Sequence, residues 1–289
     1  MDSLINSIQY ISECIEVEII VTDDSTNDKV NILCKRYNKI VVWLQGPKKG
    51  PGANRNNGYK SVNSDVEWII FIDDDCFVNE GFIDSYFQIM KYDNINVIEG
   101  QIICPDKSNT IFKRQPEYRG GGGVLPSGNF AIKSELFAKI GGFDEELKIM
   151  EDMEFAHHLK YNGHIIEYCP SAIAYHPSQP KRGIFYFHWV FHFKWQLLLN
   201  YKCRLRHIET NIIHSIFKTW VDHINIIIRQ TSHLISKPDP DRWVMYCFER
   251  CLAWITMPIV LPYLSFWDVK FRNMIKKKLI SLKRSPLKL

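Results

Sequence analysis

The residues Asp73-Asp74-Asp75 close an apolar run, Trp68-Ile69-Ile70-Phe71-Ile72. Three adjacent carboxylates repel one another, so folding them together calls for a compensating cation. Oxygen donors of this kind suit Mg²⁺ or Mn²⁺, which bind through one or two carboxylates together with substrate phosphates. Elsewhere such a run is a solvated acidic turn; its place at the end of a buried strand is what favours a site. Asp23-Asp24-Ser25-Thr26 follows a second β-branched run, Val17 to Val21. A carboxylate there can accept hydrogen bonds from a base or a ribose, or cap a helix beginning near Asn27. Between the two acidic clusters lies Gly50-Pro51-Gly52-Ala53-Asn54-Arg55-Asn56-Asn57-Gly58, with Lys48 and Lys49 beside it. It reads as an anion site at a helix start or as a solvated basic turn. Glu151-Asp152 opens a later helix, where acidic residues favour the macrodipole and where a general base could face an acceptor hydroxyl. His176 follows another strand and is a metal ligand or a satisfied histidine.

The elements that must position these residues alternate. Leu4, Ile5, Ile8 and Ile11 have helical spacing, and helices are predicted over 27–37, 53–63 and 80–91. Strands are predicted at 17–21, 40–44, 68–72 and 95–103, each an apolar run. Such alternation predicts an α/β fold with a mostly parallel sheet covered on both faces, and ligands at the carboxyl ends of its strands. Residues 106–123 read as an irregular loop ending in four glycines, Gly120 to Gly123. A strand from Val124 to Ile132, a helix from Ser134, a helix from Glu151 to Asn162 and an edge strand at Ile165–Tyr168 complete this part.

The chain has 289 residues, 46% hydrophobic and 24% charged, which excludes a disordered, collagen-like or low-complexity protein. A net charge of +4 is too mild to argue for nucleic acid. Eight cysteines include no C-x-x-C pair and fit no zinc template, so reduced thiols in a cytosolic protein are expected. No signal peptide is evident. After Pro180 the composition shifts to an aromatic run over 185–195, followed by amphipathic helical patterns over 205–236 and 243–254. Residues 252–267 are uncharged but interrupted by Pro258 and Pro262, and they fall short of the roughly twenty needed for a span. The last twenty residues hold eight Lys or Arg and no acid. This pairing of an apolar patch with a basic tail predicts peripheral contact of 252–289 with an anionic leaflet, or else a helical subdomain with a solvated tail.

Taken in order, VEIIVTDDST at 17–26, the GPGANRNNG segment, IIFIDDDC at 69–76, SGNFAIKSELFAKIGGFDEEL at 127–147, EDMEF at 151–155 and His176 resemble glycosyltransferase family 2. The resemblance spans about residues 3–180. It implies an A-type glycosyltransferase fold, Rossmann-like, with a catalytic domain over 1–180 and a helical, aromatic-rich extension over 181–289. Residues 1–105 would form the donor half and 106–180 the acceptor half. It further implies inverting transfer from a nucleotide-diphosphate sugar, most commonly a UDP-sugar, to a saccharide or lipid-linked saccharide, with Mn²⁺ or Mg²⁺. By matching position, Asp24 would hold the nucleobase and Arg55 would lie near the donor phosphates. Asp73 and Asp75 would form the D-x-D motif, with Asp75 on the metal and Asp73 or Asp74 near the ribose. Asn129 matches the acceptor-side strand that lines the donor, Asp152 the catalytic base with Glu151 beside it, and His176 a ligand near the metal and diphosphate. The setting expected is cytoplasmic, at the inner face of a membrane.

Family members open with a strand of the type V-S-V-I-I-P-T-Y-N, and this chain starts at the counterpart of the helix after it. The sheet is therefore expected to lack that strand. An inactive nucleotide-sugar-binding or scaffold protein is the alternative this raises. A nucleotidyltransferase is a third reading, since that class also uses paired acids and metals.

Overall fold

A computed structural model describes residues 1–11, 15–37, 39–106, 113–114, 116–121 and 123–180, with scattered helical residues at 195, 198–199, 202–203, 266–267, 269–271 and 273–274. The chain divides into two compact units, Met1–Ser108 with Lys113–Pro180, and Asn109–Phe112 with Lys181–Leu289. Most of the aromatic run, the helical patterns at 205–236 and 243–254, most of the apolar 252–267 segment and most of the basic tail lie outside the described residues. Among those described, no helix is long and apolar enough to cross a membrane.

In the first unit the strands are β1 (Ile19–Asp23), β2 (Val41–Gln45), β3 (Trp68–Ile72), β4 (Phe77–Val78), β5 (Val97–Ile103), β6 (Lys113–Arg114), β7 (Asn129–Lys133), β8 (Glu167–Tyr175) and β9 (Gln179–Pro180). The helices are α1 (Asp2–Gln9), α2 (Lys29–Cys34), α3 (Pro51–Tyr59), α4 (Phe82–Met90), α5 (Ser134–Ile140) and α6 (Glu151–Tyr161). Strands β1 and β2 pair in parallel, β6 and β9 form a short antiparallel pair, and the main sheet has the order β3-β7-β5-β8-β4. That sheet is mixed: β7 inserts antiparallel between β3 and β5, while β5 and β8 are parallel. The alternation of elements fits a parallel sheet but carries no information about a late strand returning between two earlier ones.

Side-chain alternation along β7 divides the core. Phe130 and Ile132 face Phe71, Val97, Leu136, Phe137, Phe143, Phe155 and Leu159, so α5 and α6 cover that side. Phe71 stacks on Phe130 at 4.8 Å, and Phe143 meets Phe155 at 4.8 Å. Ala131 turns the other way, toward Phe82, Tyr86, Ile98, Cys169, Ala172 and Ala174 beneath α4. The small residues of β8 let Phe82 and Tyr86 reach the sheet, where both are fully buried.

The edge strand expected at Ile165–Tyr168 is instead an interior strand extending to Tyr175, flanked by β5 and β4. Its pairing with β5 shifts register between Gly100 and Gln101. A Cβ on Gly100 would stand 2.4 Å from Asn129 Nδ2 and 2.5 Å from the Tyr86 hydroxyl, both in a fully packed layer. Gly100→Ala is therefore expected to lower stability by about 1–3 kcal/mol through overpacking. Urea unfolding checks this, and a loss below about 0.5 kcal/mol would show that the layer yields.

Candidate active site

Helix α3 sends three consecutive side chains in three directions, as the helical step of about 100° per residue requires. Asn54 binds β1: its amide nitrogen donates to the Thr22 carbonyl at 2.9 Å, and its oxygen accepts from the Thr22 hydroxyl at 2.8 Å. Asn56 binds the turn before α6, donating to the Phe143 carbonyl at 2.8 Å and accepting from the Phe143 amide at 2.9 Å. Arg55 points between them. Its Nη2 reaches Asp73 Oδ1 at 2.6 Å and its Nη1 reaches Glu151 Oε1 at 2.9 Å.

This bridge joins the acidic turn after β3 to the N-terminus of α6. The guanidinium bridges the two carboxylates. Asp73 is likewise held by Arg55 and is absent from the group of ligand atoms that converges at Asp75. On its other side Asp73 Oδ2 lies 2.6 Å from where a Cβ on Gly128 would stand. Only glycine lets the strand-entry turn at 127–128 approach that closely. Burial, reinforced by Asp75 and Asp73, raises the Asp74 carboxyl above its ordinary range.

Glu151 and Asp152 open α6 after Met150, which is left-handed at φ 65°. The Glu151 side chain is 6% exposed; burial raises its pKa, Arg55 opposes the rise, and Asp152 adds to it. Asp152 is half-buried, and Oδ1 accepts the Met153 amide at 2.8 Å. Burial raises its pKa as well, against the lowering effect of the Met153 and Ser127 amides and of Arg55. Glu151 is thus buried in its ion pair, whereas Asp152 beside it is only half-buried.

Asp75 and His176 meet at the other end of the acidic turn, with His176 Nε2 3.3 Å from Asp75 Oδ1. His176 Nδ1 lies 3.0 Å from the Pro177 carbonyl oxygen, which can only accept, so Nδ1 donates to it. Nε2 faces the Asp75 carboxylate, and an imidazole nitrogen beside a carboxylate oxygen is a donor pair that fits a divalent cation. Cys76 adds Sγ to the same group, all three ligand atoms lying within 4.8 Å of one another. Burial, with Asp73, Asp75 and Asp74, pushes the Cys76 thiol up to about 12.

Asp24 lies at the carboxyl end of β1, where Oδ1 accepts the Lys48 amide at 2.7 Å and ties the two loops of the β1–β2 pair together. Asn129 lies inside the sheet. It is fully buried, donating to the Gln101 and Ala172 carbonyls at 2.8 and 2.9 Å and accepting from the Tyr86 hydroxyl at 2.7 Å. The sequence alone missed Glu99. This fully buried carboxylate of β5 accepts from the Tyr118 hydroxyl at 2.8 Å and from the amides of Gly121, Gly123 and Leu125 at 2.8, 3.2 and 3.3 Å. It thereby shapes the glycine loop that leads into Ser127 and Gly128. A lone acid inside an apolar strand, Val97-Ile98-Glu99-Gly100, was the available signal.

A sequence model of the family described as Glycosyl transferase family 2 matches residues 1–154, and the chain belongs to that family. An O-antigen chain rhamnosyltransferase, WbaN, of Salmonella anatum is 22% identical, covering 55% of this chain and 56% of its own. The GalNAc(5)-diNAcBac-PP-undecaprenol beta-1,3-glucosyltransferase of Campylobacter jejuni is 29% identical, with coverages of 49% and 45%. The chain spans about half the length of the curated relatives it matches. Among solved structures, S. aureus TarS 1-349 in complex with UDP superposes with a TM-score of 0.53 at 17% identity, covering 97% of this chain and 87% of that one. The mannosyltransferase PcManGT from Pyrobaculum calidifontis, in complex with GDP-Man and Mn²⁺, gives 0.53 at 13% identity, with coverages of 93% and 82%. The fold is that of the A-type glycosyltransferases.

Proposed function

We propose that this chain is an inverting, metal-assisted glycosyltransferase that moves a sugar from a nucleotide-diphosphate donor to a saccharide acceptor. The observation that carries this reading is the Arg55 bridge, which ties the Asp73–Asp75 turn to the helix end bearing Asp152. Asp24 holds the nucleobase and Asp74 faces the ribose. Asp75 and His176 would hold a divalent cation, Mn²⁺ or Mg²⁺, which supplies charge that neutralises the leaving diphosphate. Asp152 takes the proton of the acceptor hydroxyl as its oxygen bonds to the anomeric carbon. The bond from that carbon to the diphosphate breaks on the opposite face, and the configuration inverts. Arg55 holds the two acidic groups in register and keeps their charges from disrupting the turn.

The acceptor we favour is lipid-linked. The Campylobacter relative is named for an undecaprenol-diphosphate substrate, and the 252–289 composition suits a leaflet surface. Deleting 270–289 is expected to weaken binding to vesicles containing anionic lipid, most strongly at low salt, because each basic residue near such a surface contributes about 1 kcal/mol. Sedimentation with vesicles checks it; unchanged binding would remove the tail as an anchor.

Isothermal calorimetry against UDP-, GDP- and dTDP-sugars, with and without Mn²⁺, tests the central reading. Metal-dependent binding of one donor, followed by its consumption with an acceptor, is the expected result. Absence of binding across the panel would overturn it.

A further inference from the structure

Asp75, Cys76 and His176 present three chemically different donors, a carboxylate oxygen, a sulfur and an imidazole nitrogen. Two segments distant in sequence bring them together. The Cys76 amide donates to the Asp73 carbonyl at 3.1 Å, which closes the acidic turn and sets Cys76 inside it. The His176 amide donates to the Ile103 carbonyl at 2.9 Å, which fixes the imidazole just beyond β5 and β8. His176 is 7% exposed, so its ring is placed by packing as well as by Pro177.

The distances fit a shared ion. Ligands each about 2.1 Å from one cation stand about 3.0–3.4 Å apart for angles between 90° and tetrahedral. The observed separation of His176 Nε2 and Asp75 Oδ1 is 3.3 Å. Cys76 is partly buried, packed on one side against the apolar layer under α4, and its Sγ belongs to the same group of ligand atoms.

We propose that Cys76 is a third protein ligand of the cation held by Asp75 and His176, giving a mixed N, O, S site that prefers Zn²⁺ and Co²⁺ to Mg²⁺. The physical reason is ligand softness. An aspartate and waters suit hard ions such as Mg²⁺, whereas a thiolate with an imidazole suits borderline ones. On binding, the Cys76 S–H bond breaks, its proton leaves to solvent and the sulfur–metal bond forms, with no change of oxidation state. The consequence is a choice between ions: Mn²⁺ and Mg²⁺ occupy the site through Asp75 and His176, and Zn²⁺ occupies it more tightly through all three.

This inference rests on the metal-assisted reading above, and the test separates the two. The whole untagged chain, reduced and metal-free, is titrated with Co²⁺ and followed by absorption. Wild type is expected to show visible d–d bands together with a near-ultraviolet sulfur-to-cobalt charge-transfer band. Cys76→Ser is expected to keep the d–d bands and lose the charge-transfer band. Its Zn²⁺ affinity should fall about 10–100-fold, with Mn²⁺ affinity changing by less than about threefold. His176→Gln should weaken both ions, which serves as a second check should Cys76→Ser fold poorly. Visible bands without charge transfer in wild type would overturn Cys76 ligation and leave the metal reading standing. A charge-transfer band that survives Cys76→Ser would assign the sulfur elsewhere and overturn the proposal. Failure of Co²⁺ to bind would overturn the metal reading and the proposal with it.

Discussion

Asp152→Asn is expected to lower turnover about 10²–10⁴-fold, roughly 3–5 kcal/mol of barrier, while leaving donor affinity within about twofold of wild type. The substitution is close to isosteric, and the new amide oxygen can still accept the Met153 N–H that Asp152 Oδ1 accepts at 2.8 Å. The helix start is therefore preserved, while the proton acceptor is lost and the Ser127 amide is left with a weaker partner. Glu151 cannot take over, because its side chain is 6% exposed and one oxygen is held by Arg55 at 2.9 Å. The pH dependence has a definite sign. A base must be ionised to act, so the rate falls as pH drops through its pKa. Burial raises Asp152 above the ordinary aspartate range, against the opposing amides and Arg55. The acid limb of kcat/KM is accordingly expected above the usual value of about 4 and should vanish in Asp152→Asn. A variant retaining more than a tenth of wild-type turnover would move the base elsewhere.

The helix start at Glu151 was legible from its place: an acid pair opening a helix after a glycine turn needs no knowledge of distant partners. The same holds for the Asp73–Asp75 turn, since an apolar strand running into carboxylates is a local pattern. The central strands at 68–72 and 95–103 were legible for that reason too, β3 to the residue and β5 to within two. Long-range relations were not. Arg55 stands in a basic turn, and nothing local in that turn announces the two carboxylates it bridges, 18 and 96 residues away. Asn129 enters the expected site only by its match to the family's acceptor-side strand; its hydrogen-bond partners were not legible, because strand β7 is buried on both faces and an amide there must find them inside. The short edge strand expected near 165 became a nine-residue interior strand because β8 bulges over 170–172, opposite the Gly100–Gln101 step, and then resumes pairing with β5 at Ile173. Glu99 shows the converse. A buried acid looks like an interruption of β5 until the backbone amides of a loop more than twenty residues away are seen to converge on it.

Arg55→Met is expected to be the most destabilising change in the site, by about 3–5 kcal/mol near neutral pH. Methionine fills much of the volume of the arginine stem, which packs near the Phe143 ring with the guanidinium 5.7 Å from its centroid. Packing is thus largely kept and the charge removed. Glu151 is then left ionised and buried, and Asp73 loses its 2.6 Å partner within a turn of three carboxylates. Because Glu151 and Asp152 are already raised by burial, and Arg55 is the charge that opposes the rise in both, its loss raises them further. A carboxyl whose pKa is higher in the folded than in the unfolded state binds more protons when folded, so stability falls as pH rises between the two values. The deficit of Arg55→Met should therefore be larger at pH 8 than at pH 5, as read from urea unfolding at each. A merely space-filling arginine would give a deficit independent of pH. In activity, the acid limb assigned to Asp152 should move to higher pH. Arg55→Lys, able to reach one carboxylate as a point charge but not to bridge two, should restore stability in part and turnover less. Equal recovery of both by lysine would reduce Arg55 to a counter-charge and remove its role in holding the aspartate turn and the base in register.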